Sequence, residues 1–106
     1  MAKERVKRST IVLNRLTNVV GTSATRIVPN DPKRLALLLV NTGASALWVG
    51  FSQSVAPGAS ILLGPYGGSL TMTLEEDHET VYYEIWGVAE GAPTTIACLE
   101  VISLED

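Results

Sequence analysis

The chain has 106 residues, 46% hydrophobic and 18% charged, with a net charge of −3. That length holds one domain with a real core, and the negative balance argues against nucleic acid as the main ligand. A single cysteine, Cys98, excludes an intramolecular disulfide and any cysteine-based metal cluster, and no apolar run approaches the roughly 20 residues that cross a bilayer as a helix.

Charge is scarcer than the roughly 25% of ordinary soluble domains, which implies that part of the surface is covered by a partner or by further copies of the chain. It is also unevenly placed. Residues 1–8 carry Lys3, Arg5, Lys7 and Arg8 against Glu4, with only Val6 between the charges. They read as a flexible basic arm, either a solvated terminus or a segment that orders on an acidic neighbouring subunit. Ile11–Leu13, behind the arm, is too short for a signal-peptide core, so assembly in a cytosol is expected. The folded domain is expected over 9–106.

From Ser9 the punctuation is that of an all-β protein. Ser9–Leu13 is a β-branched run closed by Asn14-Arg15, Leu16–Val20 is a second short strand broken at Gly21-Thr22-Ser23, and Ala24–Val28 follows. Pro29-Asn30-Asp31-Pro32 must turn, because each proline restricts itself and the residue before it. The stretch Asn30–Gly43 then organises what remains. Six apolar residues, Leu35 to Val40, end abruptly at Asn41-Thr42-Gly43. A run so short, apolar at every position, predicts a central strand buried on both faces. A helix capped by Asp31 with Pro32 in its first turn is the rival, but it would be apolar almost all round, with no polar stripe.

Thr42–Ser45 predicts a hairpin turn into Ala46–Phe51, with Leu47, Val49 and Phe51 on one face and Trp48 and Gly50 on the other. Pro57-Gly58 marks a loop, Ser60–Leu63 a short strand and Gly64-Pro65-Tyr66-Gly67-Gly68 a turn. In Ser69–Leu74, Leu70, Met72 and Leu74 alternate with Ser69, Thr71 and Thr73, the pattern of a strand half in the core. Glu75–Glu79 reads as an acidic turn, Thr80–Trp86 as a strand with Val81, Tyr83 and Ile85 on one face, and Thr94–Leu104 as a long last strand. About eight short strands with turn signals every 8–12 residues predict a single β-sandwich, jelly-roll-like or immunoglobulin-like in topology.

Chemistry is hard to place on this chain. His78 is the sole histidine, so a blue-copper centre built with Cys98 and Met72 lacks its second histidine. No serine sits in a Gly-x-Ser-x-Gly elbow, and the glycines of residues 64–68 lack the lysine and following helix of a phosphate loop. The acids around His78 do not have EF-hand spacing, and a solvated turn accounts for them, although a cation there stays open. No catalytic residue, cofactor or metal is expected. Trp48 and Trp86 face away from core positions of their strands, which suits a subunit contact better than a stacked ligand.

The segment Val28–Gly50, VPNDPKRLALLLVNTGASALWVG, resembles small β-sandwich proteins of tailed bacteriophages, above all head decoration (cement) proteins. Asn30-Asp31-Pro32 leads into Arg34, a leucine-rich strand ends at Asn41, and a small-residue turn precedes Leu47-Trp48-Val49-Gly50. Pro57-Gly58 before Ile61-Leu62-Leu63-Gly64-Pro65, then Gly68-Ser69-Leu70-Thr71, and Val81–Trp86 before a glycine turn continue the likeness. The resemblance implies a non-enzymatic virion protein on the capsid exterior. Its partner would be the major capsid protein, its copies would join as a trimer or dimer, and neither nucleic acid nor membrane would be bound. Related modules in tails, baseplates and fibres supply the alternative of binding another virion protein or a host glycan. Lys3, Arg5, Lys7, Arg8, Trp48 and Trp86 are the candidate contact residues.

Overall fold

A computed structural model describes residues 8–105; Lys3, Arg5 and Lys7 of the expected arm lie outside them. Nine strands form among the described residues: β1 (Ser9–Leu13), β2 (Val19–Val20), β3 (Thr25–Val28), β4 (Arg34–Asn41), β5 (Leu47–Gly50), β6 (Ile61–Leu63), β7 (Ser69–Thr73), β8 (Ile85–Ala89) and β9 (Thr94–Ser103). One sheet runs β1-β9-β4-β7, with β2 also on β9, and the other runs β3-β8-β5-β6. All pairings are antiparallel.

The pairs nest. β1 and β2 lie on β9, β3 on β8, β4 on β7 and β5 on β6, as if one long hairpin had been rolled up. That is the double Greek key of a jelly roll, and of the two expected topologies it is this one. β1 and β2 follow a single path along β9, interrupted at residues 14–18, where Asn14 takes φ 50° and its N–H donates to the Cys98 carbonyl at 2.7 Å.

The strand reading of residues 34–41 holds, and the alternation of Leu70 and Met72 against Ser69 and Thr71 is reproduced by burial. The core forms between the sheets from Ile27, Val28, Leu37, Leu39, Leu47, Val49, Leu63, Met72, Val81, Ile85, Ile96 and Cys98. Gly87 makes room for it, since a Cβ there would sit 2.8 Å from Ile27 Cδ1.

Three expectations are corrected. Thr42–Ser45 is not a hairpin turn: β4 and β5 belong to different sheets, so the segment crosses the sandwich. β4 is not buried on both faces either. Leu37 and Leu39 are fully inside, but Leu38 remains 38% exposed, because a jelly-roll sheet has only one inner side. Lastly, the acidic turn and the strand over Thr80–Trp86 are replaced by helix α1 (Leu74–Asp77) and a 3-10 helix (His78–Tyr82), with β8 starting only at Ile85. Thr73 caps α1: its Oγ1 accepts from Glu76 N–H at 3.2 Å while Asp77 Oδ2 accepts from Thr73 N–H at 2.9 Å. Three acids in the first turn suit the positive helix end. Val81 is buried from this helix, not from a strand, and Tyr83 is exposed.

Candidate functional site

Polar groups inside the sandwich gather at the two ends of β4. At its start, Arg34 and Glu100 are both fully buried. Arg34 Nε donates to Glu100 Oε2 at 2.8 Å. Its Nη1 donates to the carbonyls of Val81 and Tyr83, and Nη2 to that of Pro29. Arg15, turned inward by the interruption after β1, meets both oxygens of Glu100 and reaches Asp31 Oδ2 at 2.7 Å. Two arginines and two carboxylates therefore balance with every Glu100 oxygen bonded, the condition under which buried charge is tolerated.

Electrostatics follow from that geometry. Burial acts to raise the Asp31 carboxyl, but the Arg15 hydrogen bond, the Lys33 backbone N–H and the guanidinium charges outweigh it and hold the carboxyl below its ordinary value. Burial likewise acts to lower Arg15, and its bonds to Asp31 and Glu100 reverse the sign. The network fixes three loops onto β9.

At the far end of β4 the chemistry is neutral. The buried Asn41 amide donates to the carbonyls of Ser45, Leu63 and Gly64, and its Oδ1 accepts from Gly43 N–H and Thr94 Oγ1. A Cβ on Gly43 would fall on Thr94 Oγ1 and lie 2.7 Å from the Thr95 backbone nitrogen. The crossover from sheet to sheet is thereby pinned by one side chain.

The residues weighed for chemistry are scattered. Cys98 is buried in the core, where burial, with the Glu100 charge adding to it, pushes its thiol up to about 12. His78 is exposed where α1 meets the 3-10 helix, with φ 53°. Among the described residues no hydrogen bond joins it to a serine, and no group of three His, Cys, Asp or Glu is placed to hold a metal. No described helix is long and apolar enough to cross a membrane.

The two sheets present different kinds of outer surface. On the β5–β8 sheet, register places Trp48 opposite Val88 and Leu62, and Trp86 opposite Gly50 and Arg26. Both tryptophans therefore share the outer face as diagonal neighbours, half-buried. Trp48 Nε1 donates to Glu90 Oε1 at 2.8 Å, whereas Trp86 Nε1 is buried without an acceptor. Charge borders this face, with Arg26 beside Glu84.

Among the described residues, the outer face of the β1-β9-β4-β7 sheet carries no charge. Ile11 and Leu13 of β1, Leu99 and Val101 of β9 and Leu38 of β4 stand side by side in register, with small and hydroxyl residues between them and across β7. Ile11 is 65% and Leu13 60% exposed. Sequence reasoning missed this face because an apolar outer side looked like a second buried one. The available signal was the absence of charge at alternate positions of four separate strands. Of the expected arm, Arg8 alone is described. Its N–H donates to Glu105 Oε2 and its carbonyl accepts from Leu104 N–H, which ties the base of the arm to the end of β9.

No protein-family model matches the sequence, and no curated protein matches it.

Proposed function

We propose that this chain is a structural, non-enzymatic virion protein that binds the outer surface of a bacteriophage capsid and stabilises it, in several copies. The observation that carries the proposal is the uncharged face of Ile11, Leu13, Leu38, Leu99 and Val101. Charge depletion around exposed large apolar side chains is the compositional mark of the centre of a protein contact, and a face of this kind is costly to leave in water. The likeness of Val28–Gly50 to head decoration proteins names the partner, the major capsid protein. Polar groups satisfied wholly from within, at both ends of β4, suit a protein whose task is to hold a shape.

The basic arm, Lys3, Arg5, Lys7 and Arg8, would reach acidic patches on the shell and steer docking. A tail, baseplate or fibre role is favoured by one separate observation: Trp48 and Trp86 are half-buried neighbours on one outer face, an aromatic surface on which a glycan or a second virion protein would stack.

Labelled microscopy of particles separates the two. Signal spread over the head lattice supports decoration, while a few copies at one vertex overturn it. Deleting residues 1–8 is expected to weaken binding to undecorated capsids, more so at low salt; unchanged binding removes the arm from the mechanism.

A further inference from the structure

We infer that β1 of one molecule pairs antiparallel with β1 of a second copy across a two-fold axis at Ile11, joining their uncharged faces into one continuous sheet. β1 is the terminal strand of its sheet, with β9 on one side and an open edge on the other among the described residues. Its hydrogen-bonding phase is fixed at both ends. Leu104 N–H donates to the Arg8 carbonyl and Asn14 N–H to that of Cys98. Antiparallel bonding alternates, so Thr10 and Val12 also bond β9, whereas Ser9, Ile11 and Leu13 direct their N–H and C=O groups to the open edge.

Those three residues also place their side chains on the uncharged face. Backbone and side chains of one short segment thus wait for the same occupant.

The other edges are blunted in the usual ways. β3 carries Arg26, shifts register before Val28 and runs into Pro29. β6 has only three residues. On β7 the outward N–H of Thr73 is already taken by the Asp77 carboxylate at 2.9 Å. β1 has no charge, proline or bulge between Ser9 and Leu13.

A second copy fits this edge better than an unrelated strand because the segment is complementary to itself. With Ile11 opposite its symmetry mate, Leu13 lies opposite Ser9, and all the outward backbone groups of both strands pair. No like charges meet within the paired segment, and the two Arg8 residues lie at opposite ends of the ribbon. Such a contact is isologous and closes at two. It rests on the self-association part of the proposed function and requires no capsid.

Sedimentation equilibrium of the full chain alone is expected to give twice the monomer mass. Ile11→Lys should reduce the mass to that of a monomer with the circular dichroism of the sandwich retained. Ile11→Pro should do likewise, since the N–H it removes faces the open edge. Amide exchange of the unaltered protein keeps the inference testable if either variant fails to fold: Ile11 and Leu13 should be as protected as Thr10 and Val12. A monomeric chain, a folded Ile11→Lys dimer, or rapid exchange at Ile11 and Leu13 would overturn the pairing. Capsid binding by a monomeric chain would leave the virion reading standing, and a dimer that ignores capsids would leave this pairing standing.

Discussion

The two ends of β4 bury polar groups by opposite means. At Arg34 the solution is ionic: two guanidinium groups and two carboxylates, with three backbone carbonyls held by one side chain. At Asn41 it is neutral: one amide and one hydroxyl serve the crossover and the adjacent turn. Both are complete, but they should fail differently. Removing one member of an ionic set strands a charge, whereas removing the amide strands only dipoles.

The largest effect should come from Glu100→Ala, which leaves Arg34 buried and unpaired and should cost about 3–5 kcal/mol, read as a shift of the urea midpoint. An Arg34→Met, Glu100→Leu double variant should recover part of that loss but not all, because the Pro29, Val81 and Tyr83 carbonyls would still lack their donor. Asn41→Ala is expected to cost less, roughly 1–3 kcal/mol for the groups it leaves unsatisfied. Should the two single losses come out equal, the contrast between the ends would be gone.

Gly43→Ala sharpens the neutral end. Its Cβ collides with the hydroxyl that bonds Asn41 and with the backbone of β9, a cost of about 1–3 kcal/mol by overpacking. The loss should be less than additive with Asn41→Ala, since both disturb the same contacts.

Acid provides the smallest and most selective test. Asp31 has its folded value below the ordinary 3.8, so the folded state binds this proton less readily than the unfolded chain. Its contribution is therefore present above that ordinary value and lost as pH falls through the folded one. Stability measured downward from pH 5 should fall more steeply in the unaltered protein than in Asp31→Asn. Parallel acid profiles would remove Asp31 from the network's energetics. At the other extreme Cys98, raised from 9.0 to about 12, should resist alkylation until the chain unfolds.

Much of the fold was legible because alternation is a local signal. Leu70 and Met72 against Ser69 and Thr71, and the bounded run at Leu35–Val40, needed no knowledge of neighbours. The sheet to which a strand belongs was not legible, because a turn such as Thr42–Ser45 has the same composition whether it reverses the chain or crosses the sandwich. The capped helix hid its signal in Thr73 and Asp77, whose reciprocal bonds outweighed the β-branched and aromatic residues that followed. Arg34 and Asn41 could be placed at the mouth and the end of the strand. Their partners Glu100 and Thr94 could not, since these lie 66 and 53 positions away in sequence, and neither could Arg15, which meets Glu100 from 85 positions away. A lone glutamate inside the apolar last strand was the available clue.

Both ends of β4 are closed from within, and the proposed function puts the capsid contact on the uncharged outer face. Leu38 lies at the centre of the uncharged face, far in sequence from both the arm and the β1 edge. Co-sedimentation of Leu38→Lys with undecorated capsids, beside unaltered protein of equal thermal stability, tests that claim directly. A loss of at least about tenfold in affinity, equivalent to roughly 1.4 kcal/mol, is expected with the fold intact. Unchanged binding by a folded Leu38→Lys protein would contradict it.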